Sequence, residues 1–166
     1  MAIKADFTPE EWSDLLGSVM FAGMAVTLAD PSGLIGLTKE GFASSSALLE
    51  AKADPNANEL IKAVVSDFGT SEGRTAARGV IKTKLGGKPA ADMKAIILET
   101  LRQTSAVLDA KCPDDAAGFK AWLRSISERV ANAASEGGFL GFGGVRVSDA
   151  EKATLDEVSR ALKLTA

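Results

Sequence analysis

Apolar residues recur at intervals of three or four along most of the chain, which is the spacing of helices that turn one face to a core. Most of these segments begin with a residue that caps helices, and several end next to glycine. Alternation typical of a strand is nearly absent, so we predict an all-α fold, a compact bundle of about seven helices. Their predicted starts are near Pro9, Thr38, Pro55, Ser71, Pro89, Pro113 and Ser148.

The first of these helices has the clearest signals. Thr8, Pro9 and Glu11 form a capping box with proline at the first helical position, and the helix is predicted to extend to about Ala29. Residues 15–29 carry no charge, but these 15 residues are fewer than the roughly 20 that a bilayer-crossing helix needs. We therefore expect a central, nearly fully buried helix and no transmembrane segment.

Residues 137–152, GGFLGFGGVRVSDAEK, form the one stretch that helix packing does not explain. Its glycines permit positive φ angles and close approach at an entropic cost, and its large apolar side chains suit a solvated loop poorly. We expect this loop to fold back onto the protein or to contact a partner. A phosphate cradle is disfavoured because no Gly-Lys-Ser/Thr ending follows the glycines. The candidate ligand or partner residues are Gly138, Phe139, Leu140, Gly141, Phe142, Gly143 and Gly144.

Residues 23–49 and 129–158 share one order of features: a helix, small residues, an acid with glycine, an apolar link, and a Ser or Thr cap before the next helix. Residues 33–37 align without a gap with residues 138–142. The same few residue types end and begin helices in many proteins, so an internal pseudo-duplication and chance similarity both stay open. A duplication predicts that the two loops lie close together around one core.

The composition of the chain excludes several classes of function. The 166 residues fit one domain, 1–166, and a net charge of −3 argues against binding nucleic-acid phosphates. The chain has no His, which excludes histidine-activated nucleophiles and imidazole metal sites. Its single Cys112 favours a reducing compartment, taken as the cytoplasm, and lacks a base partner that would make it a nucleophile. We expect a protein that is not an enzyme.

Carboxylates near the two loops leave binding of a divalent cation open. The candidate ligands are Asp30, Glu40, Glu136, Asp149 and Glu151. The front loop is not an EF-hand, because Leu34 and Gly41 occupy positions that need oxygen ligands. The simpler interpretation is that these acids cap helices and complement helix dipoles.

A small basic cluster lies in and after the fourth predicted helix. It consists of Arg74, Arg78, Lys82, Lys84 and Lys88. A solvated helix face explains such a cluster first, and a surface for an acidic partner is the second interpretation.

A helix that ends in small residues and an acid-glycine pair, followed by Ser or Thr, two residues and Glu-Lys, resembles the TerB-like tellurite-resistance family. The matching residues are Ala133, Ala134, Glu136, Gly137, Val147, Ser148, Asp149, Ala150, Glu151 and Lys152, with Ala29, Asp30, Gly33, Thr38 and Glu40 in the front copy. The resemblance implies an all-helical, internally duplicated fold, acidic loops as candidate cation sites, and a non-enzymatic role in stress response within a membrane-associated assembly. An inserted FLGFGG, Glu136 for Asp, and Pro31 with Ser32 depart from the pattern and weigh against metal binding more than against the fold.

Two functions follow from these observations. The first is a non-enzymatic interaction or scaffold protein without a cofactor, which binds a protein partner or itself and associates peripherally with a membrane. The alternative is a protein that binds a small molecule or a divalent cation between the two related loops. Neither hypothesis includes nucleic acid as a partner.

If the loop packs against the first and last helices, replacing Phe139 or Phe142 by Ala should cost roughly 3–5 kcal/mol of unfolding free energy. Urea unfolding midpoints of the two variants measure this cost. Unchanged midpoints would contradict packing and would indicate that the loop docks on a partner, whose binding the same variants should then abolish.

Overall fold

The computed structural model describes residues 2–29, 47–54, 57–135 and 147–164. These residues form a short 3-10 helix, Lys4–Asp6, and seven α-helices, with no strand among them, which confirms the predicted all-α fold. The α-helices are α1 (Pro9–Thr27), α2 (47–53), α3 (Glu59–Phe68), α4 (Ser71–Leu85), α5 (Ala90–Lys111), α6 (Pro113–Ser135) and α7 (Asp149–Ala161).

Helix α1 lies at the centre of the bundle, in contact with α3, α4, α5, α6 and α7. Its predicted capping box is present: Thr8 Oγ1 accepts the N–H of Glu11 at 3.2 Å, and Glu11 Oε2 accepts the N–H of Thr8 at 2.7 Å. The helix ends at Thr27, slightly before the predicted Ala29. Its buried residues are Trp12, Leu15, Leu16, Gly17, Ser18, Val19, Phe21, Ala22, Gly23, Ala25 and Val26. The expectation of a buried central helix is therefore confirmed.

The core is built around α1 from large apolar side chains of the surrounding helices. Fully buried examples are Leu60 of α3, Ile97, Leu101 and Leu108 of α5, Phe119, Leu123 and Ile126 of α6, and Leu162 after α7. Among the helices described, none has the length and apolarity that a membrane-spanning segment requires.

Polar side chains in the interior bond to backbone groups of neighbouring helices. The hydroxyl of Ser127 on α6 donates to the carbonyl oxygen of Ala22 at 2.7 Å, and Ser105 on α5 donates to the carbonyl of Leu162 at 3.2 Å. Because the hydroxyls of Ser127 and Ser105 each have an acceptor, these two bonds help fix the register of α6 on α1 and of α7 on α5.

Asp67, near the end of α3, joins three elements. Its Oδ2 accepts the indole N–H of Trp12 at 2.6 Å and the ammonium of Lys4 at 2.8 Å. Partial burial raises the pKa of this carboxyl, but the hydrogen bonds from Lys4 and Trp12 outweigh burial and hold the pKa below its ordinary value. The carboxylate therefore ties the N-terminal segment and α1 to α3 in ionised form.

Two details of the predicted helices were wrong. Helix α3 begins at Glu59 rather than near Pro55, because Asn58 caps it: Oδ1 of Asn58 accepts the N–H of Ile61 at 2.8 Å. Leu49 was expected on the apolar face of the second helix, yet its side chain is 68% exposed. The buried described positions of α2 are Ala47 and Ala51, on the opposite side of the helix, while Leu48 is half-buried and packs on the core as expected. The predicted helix start at Thr38 lies outside the described residues.

Two helical glycines provide a matched test of how closely α1 and α4 pack. A Cβ at Gly17 would lie 3.0 Å from Val80 Cγ1 and 3.1 Å from Val80 Cβ, whereas a Cβ at Gly79 would meet nothing within 4 Å. Gly79→Ala should therefore raise the free energy of unfolding by about 0.5–1 kcal/mol through helix propensity alone. Gly17→Ala should raise the free energy of unfolding by less than Gly79→Ala does, because Val80 must move to make room for the new methyl group.

Urea unfolding of both variants beside the parent protein measures the difference. Equal stabilisation by the two substitutions would contradict the close contact of α1 with α4.

Candidate functional site

The predicted loop site, residues 138–144, lies outside the described residues. Val147, three residues after that loop site, is described. It is half-buried and packs with Leu155 against Val26, Val130 and Ala131. This small cluster joins the ends of α1 and α6 to the start of α7, so described residues bordering both loops meet there. Gly33 and Gly138 themselves lie outside the description, and the proximity of the two loops stays a prediction.

Of the five predicted metal ligands, the structure describes Asp149 and Glu151. Glu151 is buried and completes a capping box, in which its Oε2 accepts the N–H of Ser148 at 2.7 Å and Ser148 Oγ accepts its N–H at 3.2 Å. Asp149 is exposed, with Oδ1 at 3.6 Å from Lys152 Nζ. The described ranges contain no cluster of three or more possible metal ligands. Asp30, Glu40 and Glu136 lie outside these ranges, so cation binding by the loops stays a prediction.

Cys112 is buried between the end of α5 and the start of α6. Burial raises the pKa of its thiol to about 11, and the nearby charges of Asp115, Asp6 and Asp109 act in the same direction. The thiolate is the nucleophilic form of cysteine, so a thiol that stays protonated at neutral pH is unreactive. This environment suits a packing residue.

An open groove of about 480 Å³ runs between α2, α3 and α6. It is lined by Ala47, Glu50, Ala51, Asp54, Ala57, Ile61, Trp122, Ser125 and Arg129. Ala47, Glu50 and Ala51 of α2, and Asp54 directly after it, are spaced three or four residues apart and therefore share one face. The buried Ala47, Ala51 and Ile61 make an apolar floor, and the charged side chains form the rim.

Arg129 and Glu50 form a bidentate ion pair across the groove. Nη1 of Arg129 lies 2.9 Å from Oε1 of Glu50, and Nη2 lies 2.5 Å from Oε2. The hydrogen bonds with Arg129 lower the pKa of Glu50, and those with Glu50 raise the pKa of Arg129, so both groups are charged at neutral pH. The side chain of Glu50 is 63% exposed and that of Arg129 is 38% exposed, and ion pairs so exposed add little stability. A ligand can therefore compete for either partner at small cost.

Trp122 forms part of the groove wall and packs edge-on against Phe119, with ring centroids 5.4 Å apart. Its indole nitrogen Nε1 is buried and has no hydrogen-bond acceptor. A buried donor without an acceptor costs about 1–3 kcal/mol. An acceptor brought into the groove wall would recover this energy.

The sequence did not single out this groove. It placed Trp122 on the apolar face of α6 and assigned no role to Glu50, Asp54 or Arg129. One signal was available: the buried described positions of α2, Ala47 and Ala51, are small, although Leu48 beside them packs on the core. Small inward residues leave the space that the groove occupies.

The chain matches no protein-family model, no curated protein and no solved structure. The resemblance to the TerB-like family therefore rests on the residues quoted for it and is neither supported nor refuted by these comparisons.

The buried thiol gives a test by pH and chemical labelling. Because the pKa of Cys112 in the folded protein is about 11, above the ordinary value of 9.0, iodoacetamide should label the native protein at pH 8 far more slowly than the urea-unfolded chain. A raised pKa means that the neutral thiol stabilises the fold below pH 9 and that this stability is lost as pH rises through about 11.

In the parent protein the urea unfolding midpoint should fall between pH 8 and pH 10.5. Cys112→Ala should remove the part of this fall that comes from ionisation of the thiol. Rapid labelling of the native protein would contradict the burial of the thiol.

Proposed function

We propose that this protein is a non-enzymatic, helical interaction protein whose partner binds in the groove between α2, α3 and α6. The observation that carries the proposal is an open groove with an apolar floor and a charged rim, in whose wall the buried indole N–H of Trp122 has no acceptor. Protein-binding sites commonly combine an apolar centre with a polar rim and are enriched in Trp and Arg.

The charges of the rim specify the chemistry of the partner. Of the described residues that line the groove, Glu50 and Asp54 are acidic and Arg129 is basic. Glu50 on α2 and Asp54 directly after it are four residues apart, and the N–H of Asp54 still donates to the carbonyl of Glu50 at 2.8 Å, so both acids are on the same side. A partner segment with a Lys or Arg beside an apolar side chain complements this rim, and charge complementarity of this kind favours specificity and fast association.

Within the groove, the apolar side chain of such a segment would contact Ala51 and Ile61, which make part of the floor. A backbone carbonyl of the segment would accept the indole N–H of Trp122. Removing apolar surface from water stabilises the complex by about 25 cal/mol per Å², and satisfying the buried donor adds to it.

We further propose that the protein acts in stress response in the manner of the TerB-like family, in the cytoplasm. The all-helical architecture and the quoted motif residues support the first part of this proposal, and the single Cys112 supports the second.

A small molecule is the second candidate for the groove. Its volume of about 480 Å³ falls within the range of about 300–1,000 Å³ that ligand sites occupy. The same polar groups would orient such a ligand, with Trp122 donating and Glu50 or Arg129 pairing with a charge.

The experiment uses a displayed library of random twelve-residue peptides selected against the full chain. The selected peptides should carry Lys or Arg next to an apolar residue, and their binding should shift NMR signals of groove residues. Glu50→Lys, which reverses a rim charge, should weaken binding at least about tenfold, because a close charge pair becomes a repulsion. Trp122→Phe should weaken it less, since it removes only the donor.

Glu99→Lys on α5 is the matched control, because it makes the same charge change at an exposed site outside the groove. Peptides that bind elsewhere, or that lose equal affinity with the control, would overturn the proposal. Failure of the selection together with a raised melting temperature in a small-molecule screen would favour the second candidate, since a ligand at 100 times its Kd adds about 2.7 kcal/mol. Melting with Ca²⁺, Mg²⁺ and Mn²⁺ tests the cation alternative in the same way.

A further inference from the structure

Most Lys and Arg side chains of the described residues bond to a neighbouring carboxylate or carbonyl. Four of those described make no such bond, namely Lys52, Arg78, Lys82 and Lys88. Three of the four lie on α4 or directly after it. Unpaired positive charge in the described chain is therefore concentrated at one helix.

The exposed residues of α4 form one continuous outward face. They are Ser71, Glu72, Arg74, Thr75, Arg78, Gly79, Lys82 and Thr83, while Gly73, Ala77 and Leu85 are buried. The guanidinium of Arg74 is held at the end of α3 by a hydrogen bond of 2.6 Å to the carbonyl oxygen of Gly69. No Asp or Glu occurs from residue 73 to residue 88, so this face has no acid of its own beyond the first turn.

Dipole compensation explains only part of this charge. Lys82 and Lys84 lie in the last turn, where positive side chains complement the helix C-terminus. Arg78 lies in the middle of the helix, where the dipole gives no such advantage. Lys84 differs from the others because it lies 3.9 Å from Asp14 of α1.

We propose that the outward face of α4 binds an acidic segment of a partner protein. Arg78 and Lys82 are one turn apart, a rise of about 6 Å, which matches two carboxylates one helical turn apart on the partner. The exposed residues beside them, Thr75, Gly79 and Thr83, are small, and Gly79 leaves open space where a side chain would stand. A partner backbone can therefore approach closely enough for its carboxylates to reach both cations.

The same residues disfavour a membrane as the occupant. The face carries no large apolar or aromatic side chain between its cations, so nothing on it would insert among lipid tails. On the side toward α1, Gly79 and Thr83 of this face line a trough together with Glu10, Asp14 and Lys84. An acidic segment is repelled there and is directed to the outer side of α4. This surface shares no residue with the groove of the proposed function, so either proposal can fail alone.

The test measures fluorescence anisotropy of a labelled Ala-rich helical peptide with Glu residues four positions apart. It should bind the full chain at low salt and be released near 1 M salt, where the screening length is about 3 Å. The double variant Arg78→Glu/Lys82→Glu should lose at least about tenfold in affinity. Arg78→Lys/Lys82→Arg should retain binding.

The matched control is Lys52→Glu/Arg160→Glu, which makes the same change in net charge at exposed positions of α2 and α7. It should leave the affinity unchanged, and circular dichroism verifies that each variant is folded. Absence of peptide binding, or an equal loss with the control, would overturn the proposal. So would vesicles of phosphatidylserine that bind through the same two cations, or a salt-sensitive dimer of the chain that the double variant abolishes.

Discussion

The packing of α1 against five other helices is the constraint on which the rest of the fold depends. A helix that contacts five others leaves little room for large side chains at every crossing, so Gly17, Ala22 and Ala25 stand where neighbours come near. At Gly17 the approach of Val80 leaves no space for even a methyl group without movement. Since α4 is held to α1 in this way, its opposite face must lie in solvent, and that face carries the unpaired cations.

Polar contacts between distant residues then fix how the helices sit on α1. Asp67 receives the indole of Trp12 and the ammonium of Lys4, while Asn58 caps α3 and also donates to the carbonyl of Asp115 at 3.0 Å. Each of these groups lies at or near a helix end, where backbone groups lack intrahelical partners. Such bonds contribute modest stability, but leaving any of them unpaired would cost more.

The two surfaces proposed for binding arise from the same packing and differ in sign. The groove is lined by Ala47 and Ala51 of α2 beside residues of α3 and α6, and the carboxylates of Glu50 and Asp54 lie on its rim. The face of α4 has an excess of cations because no acid follows Glu72 on that helix. A chain with a net charge of only −3 therefore separates opposite charges onto different helices. That separation would let one protein bind a basic and an acidic partner segment at once.

The sequence alone determined the helical class, the central helix and the capping boxes at Thr8 and Ser148, because caps and helical periodicity act within about four residues along the chain. Tertiary structure alone decided that Leu49 faces solvent and that Glu50 pairs with Arg129, 79 residues away. Spacing predicts that a helix has an apolar face but not which neighbours will cover it. The groove became visible only when α2, α3 and α6 were brought together, since a gap between helices belongs to no single segment of sequence.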